Sequence, residues 1–117
     1  MRALINGVEG GAFDIIRGTD QTIVVVIMND DGSLIDPGAT DTVELLAYDY
    51  ADRIGNLRLD TVGVTEDSAT IYGKFSVVLA ETDSSSVTPG TYYCYVRYTD
   101  ANSKVFISRV PTAVTFR

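Results

Sequence analysis

Thr91-Tyr92-Tyr93-Cys94-Tyr95-Val96-Arg97-Tyr98-Thr99 changes character at almost every step. Successive side chains of an extended strand point to opposite faces. Tyr92, Cys94, Val96 and Tyr98 therefore share one face, and Tyr93, Tyr95 and Arg97 share the other. The first set reads as an inward face, with tyrosine hydroxyls reaching the rim of a core. Asp100-Ala101-Asn102-Ser103 follows as a hairpin turn, and Lys104 to Val110 is its return strand. Thr112 to Phe116 carries that strand past Pro111, whose missing N–H marks an edge or a bulge.

Further from this hairpin the same grammar repeats. Pro89-Gly90 closes the one plausible helix, Glu81 to Val87, at most two turns long, with Thr82-Asp83-Ser84-Ser85 as capping material. Thr70 to Leu79 reads as a strand with Phe75, Val77 and Leu79 inward and Lys74 and Ser76 outward. Glu66-Asp67-Ser68 and Asp52 to Gly55 read as turns, with a weaker strand over Asn56 to Val64 between them. Thr42 to Asp49 alternates: Val43, Leu45 and Ala47 lie on one face, with Leu46 and Tyr48 on the other. Gln21 to Asn29 contains five consecutive β-branched residues, Ile23 to Ile27, which predicts burial on both faces or against another subunit. Asp30-Asp31-Gly32-Ser33 and Asp36-Pro37-Gly38 supply turn chemistry after it. Phe13 to Ile16 is a short strand candidate. Residues 1–12, with Gly7, Gly10 and Gly11, read as a flexible arm whose removal should leave folding intact, and 13–117 as one domain. Seven to eight short strands with regular turns and one helical turn make an all-β antiparallel sandwich.

The chain of 117 residues suits one domain that buries roughly 65% of its unfolded surface. Apolar residues make up 45% and charged residues 21%, a globular composition. There is no histidine and one cysteine, so Ser-His and Cys-His nucleophile pairs and His/Cys metal sites cannot be built. Asp30, Asp31 and Asp36 lack the spacing of a calcium loop and read as turn residues. Glu81 with Asp83 could be drawn as a hydrolytic carboxylate pair, yet sixteen acidic residues guarantee such pairs by chance. The expectation is no catalytic residue, no metal and no cofactor. The net charge of −7 disfavours nucleic acid and anionic lipid as partners. Cys94 reads as a small buried hydrophobe. With no internal disulfide, signal-peptide pattern or membrane-length apolar run, the chain reads as a soluble protein made in a reducing cytoplasm.

Several of these stretches resemble a family of tailed-phage virion domains. The family includes the immunoglobulin-like N-terminal domain of baseplate upper proteins and related small phage structural proteins. Its pattern runs Arg-Gly-Asp-Thr, a strand, Asp-Gly, a hydrophobic residue, then Asp-Leu-Thr-Gly-Ala. Here it is matched by Ile16-Arg17-Gly18-Thr19-Asp20, Asp31-Gly32 and Ile35-Asp36-Pro37-Gly38-Ala39. Gly73-Lys74-Phe75, Glu81-Thr82, Pro89-Gly90-Thr91-Tyr92-Tyr93 and Thr99-Asp100-Ala101 resemble its second half. The likeness spans roughly 13–117 and departs at Thr19, an insertion, and at Pro37, which replaces Leu-Thr. It implies an immunoglobulin-like β-sandwich and a non-enzymatic structural role in a virion.

Among virion roles, capsid decoration or cement is expected, because little chain follows the last strand signal. A tail, neck or baseplate adaptor is the alternative, and a carbohydrate-binding adhesion module is the alternative from another class. The expected partners are the major capsid protein or other virion subunits, in a symmetric homo-oligomer on the capsid surface or tail, with weak glycan contact left open. The residues proposed to make protein contacts are Leu4, Ile5 and Val8 in the arm and Tyr93, Tyr95 and Arg97 on the outward strand face, since Tyr and Arg are enriched at interface hot spots.

Overall fold

The computed structural model describes residues 1–35, 41–63, 65–66 and 74–117. The expected turn at Asp36-Pro37-Gly38, the turn residues Asp67 and Ser68, and the start of the strand placed at Thr70 lie outside them. The described elements are β1 (Arg2–Ile5), β2 (Ala12–Ile15), β3 (Gln21–Met28), β4 (Thr42–Tyr48), β5 (Leu57–Gly63), β6 (Thr65–Glu66), β7 (Lys74–Leu79), α1 (Glu81–Ser85), β8 (Gly90–Thr99), β9 (Val105–Ile107) and β10 (Thr112–Phe116). They form two sheets, one in the order β1-β3-β7-β6 and one in the order β2-β10-β8-β4-β5, with β9 also paired to β8. This is the immunoglobulin arrangement. In its usual lettering, A-B-E-D faces G-F-C-C′, and β2 is an A′ strand beside G. The chain is all-β, as expected, in more segments than the seven or eight anticipated. Among the described strands, β2 with β10 is a parallel pair and the others are antiparallel.

The core forms where the inner faces of the two sheets meet. Ile23, Val25 and Ile27 of β3 and Val77 and Leu79 of β7 lie on one side. Val43, Leu45 and Ala47 of β4, Cys94 and Val96 of β8 and Val114 and Phe116 of β10 lie on the other. Alternation, rather than burial on both faces, governs β3. Val24 and Val26 remain half-exposed on the outside, beside Asn6, Ser76, Leu4 and Lys74.

Two side-chain bonds hold β8 in register. The Tyr92 hydroxyl donates to the Thr88 carbonyl at 2.7 Å, and Tyr92 stands two residues before Cys94. This is the tyrosine corner of immunoglobulin domains. The ring packs edge-on against Phe116, with centroids 5.5 Å apart. At the far end, β9 and β10 share one edge of β8 and are separated by Ser108 to Pro111. Buried Ser108 bridges the gap. Its N–H donates to the Val96 carbonyl at 3.0 Å, and its Oγ accepts from the Val96 N–H at 2.9 Å. The proline break is thus a bulge in which a hydroxyl replaces one ladder carbonyl.

The N-terminal segment corrects the expectation of a flexible arm. Arg2–Ile5 is an edge strand paired antiparallel with β3, and Ala3 and Ile5 are buried in the core. The Asn6 N–H donates to the Val24 carbonyl, and Asn6 Oδ1 accepts from the Val24 N–H. The glycines act at the crossover between sheets. Gly7 and Gly10 have φ of +85° and +68°, and a Cβ on Gly10 would lie 2.9 Å from Val110. The domain therefore begins at β1 rather than at residue 13.

We expect Ile5→Ala to cost about 2–4 kcal/mol through the cavity it leaves, and removal of residues 1–11 to destabilise the domain outright. Urea unfolding checks both, and an unchanged midpoint would restore the arm. Tyr92→Phe should cost about 1 kcal/mol for the lost hydroxyl bond, with Tyr93→Phe close to neutral in the same assay.

Candidate functional site

The outer face of the larger sheet carries three of the six residues singled out from the sequence. Register places Tyr93 opposite Tyr48 and Ala113, Tyr95 opposite Leu46, and Arg97 opposite Glu44 and Ile107. These rows stand on one surface because β8 is central, with β4 on one side and β10 and β9 on the other.

The three residues do different things there. Tyr93 is half-exposed and available to a partner. Tyr95 is only 5% exposed, which overturns its expected role as an exposed contact. Its ring meets Tyr48 edge-on at 6.3 Å, and the Arg53 guanidinium lies 5.5 Å from its centroid. Burial pushes the Tyr95 hydroxyl up from its ordinary pKa. Arg97 is occupied within the chain. It donates to both Glu44 oxygens, at 3.0 and 2.5 Å, and its Nη2 lies 3.6 Å from Asp60.

The other three candidates lie elsewhere. Ile5 is core, which removes it as a contact residue. Leu4 is half-buried on the outside of the smaller sheet opposite Val26, and Val8 is exposed at the crossover. The structure therefore does not gather the six into one surface.

Further contributors to the face were not among the six candidates, although the alternation of Thr42 to Asp49 already puts Leu46 and Tyr48 on this side. Leu46 is fully buried on the outward side beneath its neighbours. The connection from β4 to β5 is a built loop rather than a plain turn. Asp49 accepts from Arg58 Nε at 2.8 Å and from the Asn56 N–H at 3.0 Å, while Arg53 and Gly55 take positive φ. It presents Tyr50 and Ile54, both exposed, and Leu57 opens β5 beside them. An exposed Tyr and Ile in a short acidic loop were the available signal.

Electrostatics of the face centre on one guanidinium held by two carboxylates. The Arg97 hydrogen bonds hold Glu44 below the usual carboxylate range. Burial and the neighbouring Glu44 push Asp60 above it. Cys94 lies on the opposite, inner side, and burial pushes its thiol up to about 12, so it is no nucleophile. Carboxylates named as catalytic or metal candidates have other partners. Asp83 accepts from the Ala80 N–H at 2.8 Å and caps α1, and Asp31 accepts from the Ser33 N–H and hydroxyl. No group of three or more metal-ligating side chains occurs among the described residues.

Compared with known proteins, the chain matches no family model and no curated relative.

The carboxylate pair gives a signed pH prediction. A carboxyl whose folded pKa is raised costs stability once pH exceeds that pKa and costs nothing below its unfolded value, about 3.9 for Asp. Asp60→Asn should therefore raise the urea midpoint at pH 7, with the gain gone by about pH 3. Glu44→Gln should do the reverse, losing stability at pH 7 and little in acid. Equal midpoints for Asp60→Asn and the parent at pH 7 would contradict this account of Asp60.

Proposed function

We propose that the protein is a non-enzymatic structural subunit of a tailed-phage virion, a decoration protein seated on the head shell. The observation that carries the reading is how the residues behind the family resemblance behave in three dimensions. Arg17-Gly18-Thr19-Asp20 and the Glu81–Ser85 helix, 60 or so positions apart, close on each other. The Gly18 N–H donates to Ser84 Oγ at 3.2 Å, the Glu81 N–H to Asp20 at 2.8 Å, and Arg17 Nη1 to the Val87 carbonyl at 3.4 Å. Inserted Thr19 is absorbed by a hydrogen bond to the Ile16 carbonyl. Asp31-Gly32 closes the turn after β3, with Gly32 at φ +88°. The motif residues among those described thus hold the fold together, which supports reading the resemblance as structural rather than catalytic.

Attachment would use the outer face of the larger sheet. Tyr93, Tyr48 and the Tyr50–Ile54 loop offer aromatic and apolar surface, and Arg97 and Arg58 beside them are already paired with Glu44 and Asp49. Contact there buries apolar area while the Arg97 and Arg58 charges keep their partners. Many weak copies on a symmetric shell would gain from multivalency. The carbohydrate-module alternative would use Tyr93, whose neighbour Tyr95 is buried and adds no second exposed ring. A tail, neck or baseplate adaptor uses the same chemistry and differs in location.

Quantitative mass spectrometry of purified particles, split into heads and tails, tests the proposal. We expect a copy number comparable with the major capsid protein, in the head fraction. A few copies travelling with tails would make the protein an adaptor. Absence from both fractions would overturn the virion reading.

A further inference from the structure

The asparagines of the chain are followed by Gly7, Asp30, Leu57 and Ser103, so Asn6 alone precedes a glycine. Asn6 and Gly7 are both exposed, at the centre of a tight turn between β1 and Val8, with φ of +51° and +85°. This is the left-handed two-residue turn that Asn-Gly favours. The Ile5 N–H donates to the Val8 carbonyl at 3.0 Å, and the Val8 N–H donates to the Ile5 carbonyl at 3.2 Å. Asn6 Oδ1 accepts from the Val24 N–H at 3.1 Å, which polarises the side-chain carbonyl. Among the described residues, neither Asn6 Nδ2 nor the Gly7 N–H has a hydrogen-bond partner. A Cβ on Gly7 would meet no described atom within 4 Å. The other asparagines lack this combination. Asn29 Nδ2 is held by Ser33 Oγ at 3.1 Å, and a side chain follows Asn56 and Asn102.

We propose that Asn6-Gly7 is a site of spontaneous modification, where Asn6 is deamidated through a cyclic imide and the isoaspartate that forms loosens β1. The Gly7 nitrogen attacks Asn6 Cγ and gives its proton to base in the solvent. A new N–Cγ bond forms, the Cγ–Nδ2 bond breaks, and ammonia leaves with a proton taken from water. Water then opens the imide. Attack at Cγ gives aspartate, and attack at the main-chain carbonyl carbon gives isoaspartate, whose backbone runs through Cβ and Cγ. Glycine permits the first step because no Cβ crowds the nucleophile. The attack requires Asn6 to leave its left-handed conformation, so it proceeds from an opened turn. β1 has four residues and lies at a sheet edge, where local opening costs least. The two products differ in consequence. Aspartate keeps an acceptor for the Val24 N–H. Isoaspartate adds a backbone atom to a two-residue turn, so the Ile5–Val8 bonds and the bond to Val24 cannot all persist. Ile5, buried in the core, then loses its anchor. The change is irreversible and acts as a timer on the first strand. It does not depend on what the outer sheet face binds.

The test keeps the full chain in warm, mildly alkaline buffer for several weeks and follows it by peptide mass mapping. The peptide Ala3–Arg17, in which Asn6 is the one asparagine, should gain the mass of amide-to-acid exchange. Isoaspartate should be detected in it by methyltransferase labelling, while the peptides with Asn29, Asn56 and Asn102 stay unchanged. The chain unfolded in urea should react about tenfold faster, the ratio for a turn that opens locally rather than with the whole domain. The isoaspartate-bearing fraction, once separated, should unfold at a lower urea midpoint than the parent, and Asn6→Asp should unfold close to the parent. The proposal is overturned if Ala3–Arg17 keeps its mass, or if another asparagine gains mass first. It is equally overturned if the isoaspartate fraction unfolds as the parent does. A midpoint for Asn6→Asp as low as that of the aged fraction would also overturn it, because added charge and not backbone length would then be the cause.

Discussion

One strand with two working faces organises the molecule. The inner side of β8 places Tyr92, Cys94, Val96 and Tyr98 in the core. Its outer side carries Tyr93, Tyr95 and Arg97 toward solvent or neighbouring side chains. Both edges must be paired for this to hold, because the strand is buried on its inner face and unpaired N–H groups there would be costly. β4 satisfies one edge along almost the whole length. On the other edge no single strand does so. β10 covers the first half, β9 the second, and Ser108 spans the gap with its own hydroxyl. The tyrosine corner at Tyr92 and the Ser108 bridge are therefore two ends of one constraint, and a register slip of one residue would exchange core for surface.

The fold was legible where alternation or turn chemistry was strong. β8, β4 and β7 keep the inward sets expected from period two, and the break at Pro111 follows from a missing donor. Glycine was the misleading signal. Gly7, Gly10 and Gly11 read as slack in the chain, whereas the chain crosses there from one sheet to the other, with Gly7 and Gly10 at positive φ. The strand before them has only four residues, too few to outweigh that impression. Its own alternation, Ala3 and Ile5 against Arg2 and Leu4, was present in the sequence. The five β-branched residues of β3 overstated burial, because β propensity reports extended structure and not how many faces are covered.

The candidate surface was legible in part. Period two correctly sent Tyr93, Tyr95 and Arg97 outward. It could not show that Arg53, from a loop more than 40 positions earlier, lies over Tyr95, or that Glu44 and Asp60 converge on Arg97. Those contacts depend on strand order, which places β4 between β8 and β5 and brings the intervening loop back over the sheet. The tyrosine corner had a sequence trace in Tyr92 two positions before Cys94, and its meaning became clear only once β8 was known to follow a corner at Thr88. The result on the outer face is an acidic domain whose guanidinium groups there are held by its own carboxylates and rings, leaving tyrosine and isoleucine as what a partner would meet.

The central functional claim is that this outer face meets a virion surface. Electron cryomicroscopy of intact particles at side-chain resolution tests it most directly, because it reports orientation as well as presence. The account predicts the sandwich on the head shell with Tyr93, Tyr48 and the Tyr50–Ile54 loop buried against a neighbouring subunit. A sandwich found with that face open to solvent, attached by its other sheet or by a loop end, would contradict it.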